Sequence, residues 1–154
     1  MDSLQIREAS DRDTEFIVMM IETAAKEGKF HSDTPSEEDF RKHAFENPPK
    51  NYLLLVALEK DEIVGYADSR VRRGVGLVLG LYVKPKFRNK GIGTALIQRT
   101  MLHFAETGCH KSRLEVFMNN CGAIDFYRRE GFESEGFLRM DEEKKDTVIM
   151  SKFL

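Results

Sequence analysis

The chain has 154 residues, a formal net charge of −2 and 41% apolar residues, which is typical of one soluble globular domain spanning residues 1–154. The near-neutral charge argues against non-specific nucleic-acid binding, and no apolar run is long enough for a membrane span. The start of the chain lacks a signal-peptide pattern, and two cysteines with four scattered histidines predict a cytoplasmic protein without a disulfide framework or a metal site.

The hydrophobic pattern divides the chain into short strands and amphipathic helices. Apolar runs bounded by Gly, Pro or acidic residues predict strands, and 3.6-residue spacing that ends at a glycine predicts helices. The predicted strands are Leu4–Arg7, Tyr52–Leu58, Ile63–Val71, Leu77–Val83, Arg113–Met118, Phe132–Arg139 and Thr147–Phe153. Four helices are predicted. The first contains Phe16 and ends near Lys26, the second runs from Ser36 to about Glu46, the third follows Gly93 and ends near Thr107, and the fourth covers Cys121–Glu130. Their order is β-α-α-β-β-β-α-β-α-β-β.

One glycine interrupts the fourth predicted strand. Gly80 lies between the apolar runs Leu77–Leu79 and Leu81–Val83. Glycine inside a strand often marks a β-bulge or a close approach of another group. A bulge there would free a backbone amide that could bind a carbonyl oxygen.

The loop after this strand predicts a phosphate site. It reads Arg88-Asn89-Lys90-Gly91-Ile92-Gly93, followed by Thr94 and a helical pattern. Unpaired amides at a helix start bind anions, and glycine lets the chain approach the ligand closely. The glycine spacing fits neither the P-loop nor the dinucleotide-binding fingerprint.

A second motif lies in the last helix. Asn120, Ala123 and Tyr127 share one helix face, and Gly131-Phe132 follows. A small residue at position 123 would leave room for a ligand between the asparagine amide and the tyrosine phenol.

Together, the two motifs and the order of elements closely resemble the GNAT family, the GCN5-related N-acetyltransferases. The resemblance covers nearly the whole chain. It implies an α+β fold with a mixed, mostly antiparallel sheet and helices on both faces. It also implies that acetyl-coenzyme A is the cosubstrate and that the acetyl group passes directly to a primary amine of a small molecule or protein.

The resemblance also assigns roles to individual residues. Pantetheine would pair with the backbone of one strand and accept a hydrogen bond from Asn120, beside Ala123. Tyr127 would be the general acid for the departing thiolate. The strand residues are Leu81, Tyr82 and Val83, and the pyrophosphate loop comprises Arg88, Asn89, Lys90, Gly91, Ile92 and Gly93, with the Thr94 hydroxyl available.

The general base is the residue for which this chain departs from the family pattern. Many members carry a glutamate on the strand before the pyrophosphate loop, where this chain has Leu77-Val78-Leu79-Gly80. Glu115 on the next strand is the substitute candidate, in a Leu-Glu-Val context similar to that of acetyltransferases acting on ribosomal proteins. The alternative for Glu115 is a solvated strand residue. Tyr127 could be a core residue and Asn120 only a helix cap.

Two other functions agree with the same motifs. A non-catalytic acyl-coenzyme A sensor would keep the loop but would not need Tyr127, whose presence favours catalysis. A transferase for a longer acyl group would differ in pocket size near Gly80. The residues between the first two helices, which usually set specificity in the family, do not name the amine acceptor. The apolar closing strands could pair between subunits to form a homodimer.

Overall fold

The computed structural model describes residues 3–154; Met1 and Asp2, which the predicted domain includes, lie outside the described residues. The strands are β1 (Leu4–Glu8), β2 (Tyr52–Glu59), β3 (Glu62–Arg72), β4 (Val75–Val83), β5 (Lys111–Phe117), β6 (Glu133–Leu138) and β7 (Thr147–Phe153). The helices are α1 (Thr14–Lys26), α2 (Glu37–Arg41), α3 (Ile92–Glu106) and α4 (Cys121–Arg129). The predicted order of elements is therefore confirmed.

The second helix is shorter than predicted. The Ser36 side chain caps α2 by accepting a 3.1 Å hydrogen bond from the Asp39 amide, as the capping pattern indicates. After Arg41 the chain forms a π-helical turn, in which the Asn47 amide donates to the Lys42 carbonyl at 2.8 Å. Pro48 follows directly and lacks the N–H that a longer helix needs, so the helical segment ends at the wider turn.

All seven strands belong to one sheet with the order β1-β2-β3-β4-β5-β7-β6. Every neighbouring pair is antiparallel except β4 and β5, which are parallel. The parallel pairing covers only Val75–Leu77 against Lys111–Arg113. Beyond these residues the two strands separate, so the sheet is split along more than half of its central pair.

A β-bulge in β4 confirms the expectation for the glycine in this strand. Asp68 lies opposite Gly80 and the next residue, Ser69, lies opposite Val78. Leu79 is therefore the extra residue, and its side chain is 51% exposed. The bulge lies on the part of β4 that has separated from β5, so it faces the split.

Helices pack against both faces of the sheet. Alternate residues of β2 point to opposite sides, as they must in a strand: Val56 packs with α1 and α2, and Leu55 packs with α3. Phe104 of α3 is completely buried against the half of the sheet that contains β5 and β7. The α+β fold and the mixed sheet are confirmed. No helix among residues 3–154 has both the length and the hydropathy that crossing a bilayer requires.

Candidate active site

The split between β4 and β5 opens into two connected cavities. We call one the loop cavity, because the segment Arg88–Thr94 lines it, and the other the bulge cavity, because Leu79 and Gly80 line it. The side chain of Tyr127 lines both cavities and thus lies where they meet. The predicted residues that line the loop cavity are Leu81, Tyr82, Val83, Arg88, Asn89, Gly91, Gly93, Thr94, Asn120, Ala123 and Tyr127.

The other two predicted loop residues lie outside the cavity lining. The Ile92 side chain is 2% exposed and packs into the core under β2 and β3. Lys90 is exposed, and its ammonium lies 5.6 Å from the centre of the Phe87 ring. The side chains of these residues thus face away from the cavity, and their contribution to it would come from the backbone.

The loop backbone is curled by residues in left-handed conformations. Gly91 has φ +85° and is the N-cap of α3, and Asn89 has φ +61°. Glycine adopts this conformation without strain, and asparagine tolerates it better than most residues. Successive amides in such a turn can converge on an anion, and the 15-residue helix that follows adds the positive end of its dipole.

The arginine of the loop already has an anionic partner. Its guanidinium donates two hydrogen bonds to the Glu27 carboxylate, at 3.0 and 2.9 Å, and Arg88 Nε donates to the Val83 carbonyl at 2.8 Å. The Tyr82 hydroxyl donates to the same carboxylate at 2.5 Å, and its ring lies under the guanidinium. Arg88 therefore ties the loop to the end of α1. Sequence reasoning missed Glu27, because 61 residues separate it from Arg88 and no local pattern marks it.

The Thr94 hydroxyl is engaged as well. It donates to the Glu130 carboxylate at 2.9 Å, which links the start of α3 to the end of α4. Two of the predicted anion-binding side chains are thus paired within the protein. Positive potential in the loop cavity therefore depends on the backbone amides, with Arg129 and Lys29 on the lining.

Replacing Glu27 by glutamine is expected to lower the free energy of unfolding by about 1 kcal/mol at pH 7. Burial opposes ionisation of Glu27, but the hydrogen bonds from Arg88 and Tyr82 outweigh it and hold the pKa of the carboxyl below its ordinary value. A lowered pKa stabilises the fold above the ordinary glutamate pKa of about 4.3, and this contribution disappears as the pH falls through the lowered value. Urea unfolding from pH 7 to about pH 3.5 would show the difference shrink with acidity.

The matched control for this variant is Glu22→Gln. Glu22 is an exposed glutamate on the same helix and makes no ion pair within residues 3–154. Its replacement is expected to change stability by less than about 0.5 kcal/mol. If Glu27→Gln and Glu22→Gln lowered the free energy of unfolding equally at pH 7, the contact between Glu27 and Arg88 would contribute nothing to stability.

The predicted face of α4 meets the cavities as expected. Asn120 caps the helix by accepting a 3.2 Å hydrogen bond from the Ala123 amide, and its side-chain amide donates to the Lys29 carbonyl at 3.4 Å. Tyr127 is 7% exposed and rests edge-on against Phe132. Burial raises the pKa of the Tyr127 phenol above its ordinary value. The phenol therefore stays protonated across the neutral range and is available as a proton donor.

Carboxylates occur both on the lining of the bulge cavity and behind it: Asp33, Glu115 and Glu142 line the cavity, and Asp68 does not. Glu115 is exposed and lines the cavity from β5. Together with Asp141 and Glu142 it forms an acidic rim, in which one oxygen of each residue lies within 4.8 Å of the others. Asp68, on β3, lies behind Gly80 and accepts a 2.9 Å hydrogen bond from the Tyr52 hydroxyl. Sequence reasoning missed Asp68; the available signal was a single acidic residue inside a predicted apolar strand.

Residues 28–32, which follow α1, form a strap beside both cavities. The carbonyl of Gly28 accepts hydrogen bonds from the Asn119 amide at 3.0 Å and from the Lys145 ammonium at 3.1 Å. The Ser32 amide donates to Glu143 at 2.9 Å. Lys29 and Phe30 of the strap line both cavities. The strap therefore connects the end of α1 to the residue Asn119 after β5 and to the connection between β6 and β7. Because the strap runs beside both cavities, a linear molecule could pass under it from one cavity into the other.

Known proteins share both the sequence pattern and the fold. The model of the acetyltransferase (GNAT) family matches residues 16–132. Thialysine N-epsilon-acetyltransferase from Mus musculus is 31% identical over 156 residues, which covers 90% of this chain and 91% of that protein. The structure of ribosomal-protein-alanine N-acetyltransferase from Brucella melitensis has a TM-score of 0.87 at 23% identity and covers 97% of this chain and 99% of that one. PaiA N-acetyltransferase from Thermoplasma acidophilum, solved in complex with coenzyme A, has a TM-score of 0.80 at 22% identity and covers 99% of each chain.

Proposed function

This chain belongs to the GNAT family of acetyltransferases and is an acetyl-coenzyme A-dependent N-acetyltransferase, and we propose that the split between β4 and β5 is where it moves the acetyl group to a primary amine. One observation carries this proposal. Residues of the curled loop Arg88–Thr94 and the buried Tyr127 line the same cavity, so backbone amides suited to an anion and a proton donor share one slot. Coenzyme A would match both, with its pyrophosphate and its thiol at opposite ends of pantetheine.

Acetyl-coenzyme A would lie along the loop cavity. Its pyrophosphate would accept hydrogen bonds from the amides of residues 88–93 at the start of α3. Pantetheine would pair with the edge of β4 at Leu81, Tyr82 and Val83, as an added strand does. Two features support this pose: among residues 3–154, β4 has no strand partner on its β5 side beyond Leu77, and Asn120 lines the same cavity.

The chemistry requires a neutral amine, a polarised thioester carbonyl and a proton for the departing thiolate. The bulge at Gly80 would present a backbone amide to the carbonyl oxygen. Tyr127 would donate its proton to the coenzyme A thiolate. Glu115, at the mouth of the bulge cavity, would take the first proton from the incoming ammonium, directly or through water. The acidic rim that includes Asp141 and Glu142 would favour a cationic acceptor.

Calorimetry and an acceptor screen test the proposal together. Acetyl-coenzyme A is expected to bind, and at least one amine in a panel of spermidine, thialysine, L-amino acids and peptides with free N-termini is expected to release free thiol. No binding at millimolar acetyl-coenzyme A would overturn the proposal. Binding without thiol release from any amine would favour an acyl-coenzyme A sensor, and faster turnover of butyryl-coenzyme A would identify a transferase of longer acyl groups.

Replacing Glu115 by glutamine is expected to lower kcat/KM for the amine by about tenfold. This is below the usual effect of losing a general base, because water has access to this exposed side chain and can take over part of its role. Thiol release as a function of amine concentration measures the change. Glu133→Gln on β6 is the control, since Glu133 is also an exposed strand glutamate and does not line either cavity. If Glu115→Gln and Glu133→Gln had equal kcat/KM values, Glu115 would not be the base that takes the first proton from the amine.

Three further properties belong to the same proposal. Residues 1–154 would act as a single domain, because all seven strands join one sheet. A cytoplasmic location fits the two free cysteines, one buried and one exposed. Homodimerisation would use β6, which is one edge of the sheet and exposes 61% of Phe137. The other closing strand, β7, was expected to be able to pair as well, but it lies between β5 and β6 and has no free edge. Sedimentation analysis of the purified protein tests the last property.

A further inference from the structure

Asp68 is a carboxylate beside the bulge cavity that has no role in the reaction as described so far. It lies on β3 directly opposite Gly80, which forms part of the cavity wall. A Cβ atom on Gly80 would lie 2.7 Å from Asp68 Oδ1, closer than any side chain allows. Glycine at position 80 therefore has a packing reason: a residue without a side chain leaves the space that the Asp68 carboxylate occupies directly behind the wall.

The two oxygens of Asp68 have different surroundings. Oδ2 accepts the hydrogen bond from the Tyr52 hydroxyl, and no other side chain among residues 3–154 donates to Asp68. Oδ1 faces Gly80. Burial raises the pKa of Asp68 to about 6, with the Tyr52 hydrogen bond acting in the opposite direction. A carboxylate of this kind is ionised at neutral pH and is also a stronger base than an ordinary one.

Acyl transfer to an ammonium removes two protons from the nitrogen. The first must leave before attack, and that step is proposed above for Glu115. Attack then forms the N–C bond and leaves the nitrogen positively charged, with a second proton that must leave for the amide to form. The C–S bond breaks, and the thiolate takes its proton from Tyr127. This second nitrogen proton is released at the thioester carbon, which the proposed pose places next to Gly80.

We propose that Asp68 accepts this second proton on Oδ1 as the tetrahedral intermediate collapses. The N–H bond breaks, an O–H bond forms on Asp68, and neutral amide leaves with coenzyme A. Asp68 has then gained one proton and Tyr127 has lost one. Transfer of a proton from Asp68 to Tyr127 through solvent returns both groups to their starting states. The inference rests on the proposed function, because this proton exists only if acyl transfer takes place at the bulge.

Asp68 is the carboxylate whose oxygen packs against the bulge residue Gly80, while Asp33, Glu115 and Glu142 line other parts of the cavity. Tyr52 and Tyr66 remain protonated at neutral pH, since burial raises the pKa of each above its ordinary value. Glu115 lies across the split on β5, and Glu27 is paired with Arg88. Three other groups lie on the same or neighbouring elements. His43 meets the Tyr52 ring edge-on, Arg70 lies on the same side of β3 as Asp68, and Tyr82 lies on the same side of β4 as Gly80.

The test is the pH dependence of kcat/KM for the best amine of the panel. The wild type is expected to lose activity as the pH falls through about 6, because Asp68 becomes protonated. Asp68→Asn keeps the shape of the side chain but cannot accept the proton. It is expected to lower kcat/KM about 100-fold at pH 7.5 and to remove the part of the acidic limb near pH 6, while the need for a deprotonated amine keeps a separate pH dependence.

Two further variants distinguish proton transfer from a structural role. Tyr52→Phe removes the hydrogen bond that lowers the pKa of Asp68, so the acidic limb is expected to move to higher pH while much of the activity returns at pH 9. Asp61→Asn changes an exposed aspartate in the β2–β3 turn and is expected to keep the wild-type profile. Circular dichroism and acetyl-coenzyme A binding establish that each variant is folded.

The possible results separate the two proposals. Thiol release with an acidic limb that is the same in the wild type and Asp68→Asn would overturn the role of Asp68 and leave the proposed function intact. If the acidic limb of the kcat/KM profile of a folded Tyr52→Phe variant stayed at the wild-type pH, the role of Asp68 would also be overturned. Absence of amine-dependent thiol release from the wild type would overturn the proposed function and, with it, the role of Asp68.

Discussion

Replacing Tyr127 by phenylalanine is expected to lower kcat about 10³-fold at neutral pH, with little change in the affinity for acetyl-coenzyme A. The variant loses only the phenol oxygen, while the ring keeps its contacts with Phe126 and Phe132. A positioned general acid contributes roughly 10² to 10⁴ to a rate. The upper half of this range applies because the thiolate forms in a buried slot where water is a poor substitute.

Rapid-mixing measurements of thiol release, together with calorimetry of acetyl-coenzyme A binding, check this expectation. Because the pKa of Tyr127 is raised above its ordinary value of about 10, its titration should not limit the rate at any pH below 10. A fall in kcat with an unchanged dissociation constant supports the acid role. If kcat stayed within twofold of the wild type, Tyr127 would be a packing residue and the thiolate would leave without its help.

Replacing Gly80 by alanine is expected to lower kcat/KM about 10³-fold and to lower the free energy of unfolding by about 1–3 kcal/mol. The added methyl group would lie 2.7 Å from Asp68 Oδ1 and 3.6 Å from the Tyr66 ring. The carboxylate or the strand must move, which displaces both the bulge amide and the proton acceptor. One added methyl group would thus remove two proposed contributions to the rate, the hydrogen bond from the bulge amide and the proton transfer to Asp68.

The control for this variant is Gly136→Ala. Gly136 is also a strand glycine, but it lies on β6, and a Cβ atom there would have its nearest neighbour, Ile149 Cδ1, at an ordinary 3.9 Å. This variant is expected to keep wild-type kcat/KM and to change stability by less than about 0.5 kcal/mol. Thiol-release kinetics and urea unfolding measure both effects. A Gly80→Ala protein with wild-type kinetics would show that the bulge and Asp68 take no part in the reaction.

The sequence predicted those features that depend on neighbouring residues. The cap at Asn120 is local, because its side chain acts on the amide of Ala123 three residues away. The helix of the phosphate loop was also predicted, although it begins at Ile92, two residues before the predicted start after Gly93. The continuous apolar run Tyr52–Leu58 predicted a strand, and Leu54–Leu58 within it are buried. The bulge could also be anticipated, since Gly80 interrupts an otherwise apolar strand.

Contacts across the fold could not be predicted in this way. The partner of Arg88 is Glu27, and the partner of Thr94 is Glu130, at separations of 61 and 36 residues. Each contact depends on the register between elements, which sequence spacing does not specify. The same holds for Asp68: the bulge opposite it decides that its side chain faces Gly80, and a shift by one residue would turn it to the other face of the sheet.

In the proposed pose, acetyl-coenzyme A would complete the split sheet. Central strands are normally among the slowest regions to exchange their amide hydrogens, but β4 beyond Leu77 lacks a strand on one side. A bound cosubstrate would fill this place, so thermal stability should follow its concentration, with a gain of about 2.7 kcal/mol at 100 times the dissociation constant. Thermal stability and turnover would then both depend on the concentration of acetyl-coenzyme A. In a cell with little acetyl-coenzyme A, the protein would be less stable to heat as well as less active.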